Sequence, residues 1–381
     1  MKPSLLVLAL LAAPVACSST APPPAEGAPP PPPPAVVAPT ASASAAAPAA
    51  APEPTAEEKK KAADLKELAA DRARFEADAK IELARWTPEL HAEARALASK
   101  TYATPKAALD AVLAGKHRKP SNVARDKYRH PAETLTFFGW KPTMTMLEYS
   151  PGDGWYAELL APALATKGKL LVTSSDPKGP ADQRGTFYGQ RLQSFLDTSP
   201  EGYGKVERII VADSNKPALN LKETVDLAIV MRGMHGWIRQ NLTSAWLAEI
   251  HAALKPNGIL GIEAHRARPD AKPEDAAKTG YLPEAWVIAQ IEAAGFKLAG
   301  KSEVNANPKD TKDYPEGVWT LPPTFELKDK DHDKYAAIGE SDRMTLKFTK
   351  VAAKAAAAPK DAPKAAPKDA PKAEPKAAPK K

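Results

Sequence analysis

The chain has 381 residues, with 53 lysine and arginine residues against 46 aspartate and glutamate residues and a formal net charge of +7 at pH 7. Residues 351–381 hold eight of the lysines and only three acidic residues, so this tail accounts for +5 and the rest of the chain for +2. The charge therefore gives no support to a nucleic-acid-binding fold, and the single cysteine excludes an internal disulfide and a multi-cysteine zinc site.

The N-terminal segment has the pattern of a secretory signal. One basic residue is followed by an apolar stretch that is too short to cross a bilayer, and then by Cys17. Residues 14–17 (Pro-Val-Ala-Cys) resemble a bacterial lipobox, with Pro14 in place of the usual leucine. We therefore predict a signal peptide over residues 1–17, a lipid anchor on Cys17 and export to the bacterial cell envelope, on the periplasmic face of a membrane. The alternative is an ordinary cleaved signal beside a stray cysteine.

Two low-complexity segments flank the body of the chain. Residues 18–55 are almost wholly Ala, Pro, Ser and Thr, and residues 351–381 repeat an Ala-Pro-Lys pattern. Such segments bury too little apolar surface to fold, so we expect both ends to be disordered and the first to act as a tether. The basic tail is expected either to contact anionic envelope polymers weakly or to remain solvated.

The body begins with a helical region, which we place at residues 56–117. Residues 56–100 are rich in Ala, Glu, Lys and Leu, contain no glycine and are interrupted by Pro88, which predicts one or two helices. Residues 105–113 predict a further helix with Thr104 as its N-cap.

Strand and helix patterns alternate from about residue 140. The predicted strands are dense in Ile, Val and Leu, and they cover residues 143–149, 169–174, 206–212, 225–231, 259–263, 296–303 and 344–348. The predicted helices between them cover residues 155–165, 184–196, 244–254 and 283–294. Buried strands alternating with helices predict a doubly wound, mostly parallel α/β sheet of seven strands, covered on both faces and ending in an antiparallel strand.

The first strand runs into a glycine-containing turn. Residues 148–155 read Glu-Tyr-Ser-Pro-Gly-Asp-Gly-Trp. In a doubly wound sheet a ligand lies beyond the carboxyl end of this strand, where Gly152 and Gly154 allow close approach to the backbone. Asp176 follows the second strand, where it is placed to accept hydrogen bonds from ribose hydroxyls.

The glycines alone leave the ligand open. Gly152, Gly154 and Ala157, with Asp176 downstream, satisfy the G-x-G-x-x-G/A pattern of dinucleotide-binding folds. Glu148, however, stands in the register of the E-x-G-x-G-x-G motif of S-adenosylmethionine (SAM)-dependent methyltransferases, with Ser150 at the first glycine position. The long region before the first strand and the extra final strand also favour SAM. A glycine turn that binds no ligand is the third reading.

Two further positions are candidates for the site. Asp213 follows the third strand, where an acidic residue can lie near the adenine amino group; a plain surface turn is an equal alternative. His235 lies in the loop after the fourth strand and is the candidate catalytic base, because an unperturbed imidazole titrates near neutrality; a structural role is its alternative. We predict no metal site, since Glu263 and His265 are only two candidate ligands.

Several segments of residues 118–350 resemble a family of bacterial class I SAM-dependent methyltransferases. These segments are residues 125–131, 151–156, 307–310, 317–323 and 339–344. The resemblance implies a Rossmann-like methyltransferase fold and SAM as the methyl donor, but it names no acceptor, which is a small molecule or an envelope component. The insertion over residues 305–340 is expected either to cover the pocket or to pack through Trp319 and Leu321.

Three functions follow from these observations. The first is a SAM-dependent methyltransferase in which Glu148, Ser150, Gly152, Gly154, Asp176 and Asp213 contact SAM and His235 assists the acceptor. The second is a non-catalytic envelope lipoprotein that retains the fold, because SAM is made in the cytoplasm whereas the signal directs the chain outside. The third is a dinucleotide-binding oxidoreductase.

Overall fold

The computed structural model describes residues 55–351. The predicted signal peptide, Cys17, the Pro/Ala-rich linker up to residue 54 and the Ala/Pro/Lys tail from residue 352 lie outside the described residues. Within the described range, no helix combines the length and the apolar character needed to cross a membrane.

A seven-stranded sheet organises the described residues. Its strands are β1 (Thr145–Tyr149), β2 (Lys169–Ser174), β3 (Glu207–Ile210), β4 (Val225–Met231), β5 (Leu254–His265), β6 (Phe296–Ser302) and β7 (Arg343–Lys350). Their order across the sheet is β3-β2-β1-β4-β5-β7-β6. The neighbours from β3 to β5 pair in parallel, and β7 pairs antiparallel with both β5 and β6.

This topology confirms the predicted fold class. The doubly wound, mostly parallel sheet with an antiparallel β7 has the strand order typical of methyltransferases. It departs from the order 3-2-1-4-5-6 of dinucleotide-binding folds, because β7 is inserted between β5 and β6. Strands β2 and β3 lie on one side of β1 and β4 and β5 lie on the other, so the loop after β1 lies at the topological switch point.

Helices cover both faces of the sheet. Within residues 55–351 they are α1 (Ala56–Arg85), α2 (Pro88–Ser99), α3 (Pro105–Leu113), α4 (Pro120–Val123), α5 (Asp126–Arg129), α6 (Pro131–Phe138), α7 (Ala157–Leu164), α8 (Arg184–Asp197), α9 (Pro200–Tyr203), α10 (Met234–Arg239), α11 (Thr243–Ala253), α12 (Pro273–Lys278), α13 (Glu284–Ala293) and α14 (His332–Ile338). Successive strand residues point to opposite faces. Met146 and Leu227 therefore pack with α3, α6 and α7, whereas Leu147 and Ala228 pack with α11 and α13.

The N-terminal helices start at well-formed caps. Thr55 and Glu58 form a reciprocal capping box at α1, and the predicted cap Thr104 accepts a hydrogen bond from the backbone N–H of Ala107 at α3. Helix α1 packs along α8, where Arg184 pairs with Asp71 at 2.6 Å. The helical region is thereby fixed beside the second βα unit of the sheet.

Strand β5 is longer than its predicted bounds. The sequence predicts a start at residue 259, whereas β5 begins at Leu254. Residues 255–258 (Lys-Pro-Asn-Gly) have the composition of a turn, and Asn257 has a positive φ of 61°. Leu254 nevertheless pairs with Val225, and the register shifts before Leu227 pairs with Ile259. An irregular pairing therefore lies where the sequence predicts a loop.

Candidate functional site

The loop from β1 to α7 is a turn built on three positive φ angles. They belong to Ser150 at 46°, Gly152 at 62° and Gly154 at 81°. The backbone N–H of Ser150 donates to Thr173 Oγ1 of β2 at 2.8 Å, which fixes the start of the turn against the neighbouring strand. Ser150, at the first glycine position, therefore adopts the left-handed backbone conformation. This conformation costs free energy for a residue with a side chain.

The two glycines of this turn have different surroundings. A Cβ at Gly154 would lie 2.5 Å from the ring of Phe195, so close packing requires glycine there. A Cβ at Gly152 would meet nothing within 4 Å, although its φ still favours glycine. Gly152 therefore faces open space at the switch point, which leaves its backbone accessible to a ligand.

Glu148 is a buried carboxyl at the end of β1. It is 2% exposed, and its Oε2 atom has no hydrogen-bond partner among residues 55–351. Burial raises the pKa of Glu148 to about 8, against the opposing effect of the nearby Arg232 guanidinium. A cationic ligand at this position would restore the ionised carboxylate and give its free oxygen a partner.

Asp176 and Asp213 lie past the carboxyl ends of β2 and β3, at the edge that carries the glycine turn. Both are exposed. Asp176 Oδ1 accepts a hydrogen bond from Lys178 N at 2.9 Å, and Asp213 Oδ1 accepts one from Asn215 N at 2.9 Å. These local turns hold each carboxylate at the strand end and leave the second oxygen of each for another donor. Asp176 is one strand from the glycine turn, whereas Asp213 is two strands away.

His235 lies in α10, close to two other aromatic side chains. Its ring centroid is 5.9 Å from that of Trp319 and 6.2 Å from that of His265. Burial, reinforced by the charge of Arg239, lowers the pKa of His235 to about 4. The argument from sequence used an unperturbed imidazole, whereas burial lowers the pKa of His235 well below that reference. At pH 7 the imidazole is neutral, and it accepts a proton less readily than an exposed histidine.

Sequence reasoning did not identify a buried group of charged residues at the same edge. We call it the arginine–glutamate cluster, and it consists of Arg125, Arg129, Arg232, Arg343, Glu263 and Glu340. Glu263 is fully buried at the end of β5, with its Oε1 3.1 Å from Arg343 Nε and 3.7 Å from Arg232 Nη1. Glu340 Oε1 accepts from Arg125 Nε at 2.6 Å, and its Oε2 accepts from Arg343 Nη1 at 2.6 Å.

The cluster reaches the predicted ligand site. Arg232 is the residue after β4, and it is the charge that acts on Glu148. Tyr156, which follows the glycine turn, is 1% exposed, and its hydroxyl has no hydrogen-bond partner in the described part of the chain. Burial and the Glu263 carboxylate raise the pKa of Tyr156, so its hydroxyl stays protonated. The only sequence signal for this cluster was that segments 125–131 and 339–344 belong to the family resemblance.

The chemistry of this edge suits a ligand with several kinds of polar group. Glu148 is suited to a cation, Asp176 to hydroxyls, and the backbone at Gly152 to close approach of a polar chain. Among residues 55–351, no group of three or more His, Cys, Asp or Glu side chains is arranged to hold a metal ion.

Comparisons with known proteins connect this architecture to solved structures. No family model matches the chain, and no curated protein matches it. A SAM-dependent methyltransferase from Aquifex aeolicus is 20% identical, with 62% of this chain and 96% of that chain covered and a TM-score of 0.40. The glycopeptide N-methyltransferase MtfA, in complex with S-adenosylhomocysteine (SAH), is 12% identical, with 59% and 90% covered and a TM-score of 0.37. The cyclase SpnF is 16% identical, with 58% and 81% covered and a TM-score of 0.42.

The solved structures that resemble this chain thus include class I SAM-dependent methyltransferases at low identity. At these identities and TM-scores the likeness says nothing about the ligand or activity of this chain. The assignment of a class I methyltransferase fold rests on the chain's own strand order and connections.

Proposed function

We propose that this protein is a SAM-dependent methyltransferase. The observation that carries the proposal is Glu148, a buried carboxyl with an unpartnered oxygen at the switch point of a methyltransferase-type sheet. An unpaired buried carboxyl is costly unless a partner arrives, and SAM carries both an ammonium and a sulfonium cation. The site therefore fits the charge of the proposed donor.

Each predicted residue has a distinct part in holding the donor. Glu148 attracts the cationic end of SAM, and the turn at Gly152 admits its amino-acid chain against the backbone. Asp176 accepts hydrogen bonds from the ribose hydroxyls, and Asp213 extends the site toward the adenine. These groups come from the ends of adjacent parallel strands, so the sheet holds them in fixed relative positions.

Bound SAM supplies an electrophilic methyl group: a lone pair of the acceptor bonds to the methyl carbon while the carbon–sulfur bond breaks and leaves its electrons on the sulfur of SAH. The protein then has mainly to align the acceptor with the donor and exclude water. His235, neutral at pH 7, can accept a hydrogen bond or a proton from the acceptor atom that is methylated. The ring of Trp319 lies beside it, with the two ring centroids 5.9 Å apart.

Binding of SAM is expected to release about one proton near pH 7, because Glu148 with a pKa of about 8 is mostly protonated before the cation arrives. Affinity should therefore rise as the pH increases from 6 to 8, by up to ~10-fold per unit, and level off above pH 8. Calorimetric titration in two buffers of different ionisation enthalpy measures the number of protons. Glu148→Gln should release none from this site, and comparison of the two proteins cancels any titration of SAM itself.

The same carboxyl provides a control on the free protein. Because its folded pKa lies above its unfolded value of about 4.5, the native state binds the extra proton, and stability is lost as the pH rises from about 4.5 to 8. Glu148→Gln should therefore gain in melting temperature relative to the natural protein between pH 5 and pH 8. Equal proton release by the two proteins would remove Glu148 from the donor site.

The predicted export signal favours a second candidate function. SAM is made in the cytoplasm, so an exported protein with this fold would not meet its donor. Such a non-catalytic envelope protein would remain folded yet bind neither SAM nor SAH. The oxidoreductase alternative predicts binding of NAD instead, and the insertion of β7 into the strand order counts against it. Titration of the protein with SAM, SAH and NAD separates these functions.

A further inference from the structure

The arginine–glutamate cluster holds more positive than negative charge. Four guanidinium groups share two carboxylates, those of Glu263 and Glu340. Glu148 adds little compensation at pH 7, because its raised pKa keeps it mostly protonated. Burial, together with the charges of Arg232 and the other guanidiniums, places the pKa of Arg129 well below its usual range. The surplus positive charge therefore lies in a region where water screens it poorly.

Three buried hydrogen-bond donors of this region, Arg232 Nη1, Arg343 Nε and the Tyr156 hydroxyl, make no well-formed hydrogen bond within residues 55–351. The two arginine nitrogens lie 3.7 and 3.1 Å from Glu263 Oε1, whose carboxylate oxygens are likewise without a hydrogen bond there. Arg343 and Tyr156 are each only 1% exposed. An unpaired donor in the interior costs free energy, and a ligand that accepts from the Tyr156 hydroxyl would recover it.

Two arginines of the cluster are partly exposed, and we call this part of it the opening of the cluster. The side chains of Arg125 and Arg232 are 22% and 20% exposed, whereas the carboxylates they face are nearly or fully buried. Arg232 adjoins Glu148 and lies two residues before α10, which carries His235. A group bound at Arg232 would thus lie near Glu148 and near the start of α10.

We propose that the methyl acceptor carries an oxyanion, a carboxylate or a phosphate, and that Arg125 and Arg232 bind it at the opening of the arginine–glutamate cluster. This inference rests on the proposed function, because it names the class of acceptor for the same site. Guanidinium groups are matched to oxyanions in charge and in the geometry of paired N–H donors. The anion offsets the surplus charge, and the nucleophilic atom of the same molecule extends toward His235.

The test uses inorganic phosphate and acetate as probes on the full protein, with chloride at equal ionic strength as the reference. Both the melting temperature and its dependence on probe concentration are measured, with and without saturating SAH. At least one probe should raise the melting temperature in a saturable way, with half of the effect at millimolar concentration, and SAH should leave this effect in place. The stronger of the two probes identifies the oxyanion class.

Arg232→Met and Arg125→Met should each weaken the oxyanion effect at least ~10-fold. If Arg232→Met fails to fold, Arg125→Met tests the inference alone. We expect it to fold, since Glu340 keeps two other arginines as partners. Arg268→Met is the matched control, because Arg268 is 57% exposed and lies three residues beyond β5. It should retain the full effect.

Three results would overturn the inference. They are a melting temperature that follows ionic strength alone, an equal loss in Arg268→Met, and an effect that SAH abolishes, which would place the anion in the donor site. If SAM binds but neither oxyanion acts, only this inference fails. If an oxyanion binds but SAM does not, the proposed function fails, and the assignment of the anion as acceptor fails with it.

Discussion

Replacement of Gly152 by asparagine is expected to weaken the binding of SAM and SAH at least ~100-fold, or about 2.7 kcal/mol, while the protein stays folded. Asparagine tolerates the positive φ of 62° at this position better than other side chains. Its side chain meets no atom of the protein near Cβ, so it projects into the space assigned to the donor. Calorimetric titration measures the loss of affinity, and thermal melting checks the fold.

Gly139→Asn is the matched control for this substitution. Gly139 has a φ of 82° at the end of α6, and a Cβ there would meet only the flexible end of Lys347 at 3.4 Å and Ile259 at 3.8 Å. The control places asparagine at a positive φ outside the candidate site, so it should bind SAM like the natural protein. If Gly152→Asn binds as tightly as the control, the donor does not approach this turn.

Arg343→Met is expected to destabilise the protein by about 3–5 kcal/mol. Arg343 is 1% exposed and contacts both carboxylates of the cluster, Glu263 and Glu340. Without it, Arg232, at 3.7 Å, is the one cationic partner that the fully buried Glu263 keeps among the described residues. Methionine fills much of the volume but offers no charge, so the substitution leaves a buried carboxylate poorly compensated. Urea unfolding measures the change.

Arg95→Met separates this burial effect from the removal of an arginine in general. Arg95 pairs with Glu201 at 3.2 Å, but its side chain is 62% exposed, so its loss should cost no more than ~1 kcal/mol. A loss in Arg343→Met no larger than that of the control would show that water compensates the carboxylates of the cluster. Water would then also screen the surplus positive charge of the cluster, and the proposed oxyanion site would lose its electrostatic basis.

The sheet could be predicted because its strands leave a local signal. Strands β2 and β4 have the bounds predicted from sequence, since each is a short run rich in Val, Ile or Leu between polar segments. Helix α6 was not predicted, although Phe138 packs its ring against Gly261 of β5. Eight residues with mixed polarity give too weak a periodicity to separate a helix from a loop.

The candidate site also has one part that could be predicted from the sequence and one part that could not. The turn with Gly152 and the carboxyl of Glu148 could be predicted, because the chemistry lies within a few consecutive residues. The arginine–glutamate cluster could not, because the bond from Arg125 to Glu340 joins residues 215 positions apart. Isolated arginines and glutamates in a sequence are usually on the surface, and only the fold brings these together. The lowered pKa of His235 depends on burial, which the residues around it in sequence do not show.

The most direct test of the account is calorimetric titration of the purified protein with SAM, SAH and NAD. We expect SAM and SAH to bind with micromolar affinity and NAD to show no binding. Binding of NAD alone would favour the oxidoreductase. A well-folded protein that binds none of the three would contradict the methyltransferase proposal and leave a non-catalytic envelope protein as the function to pursue.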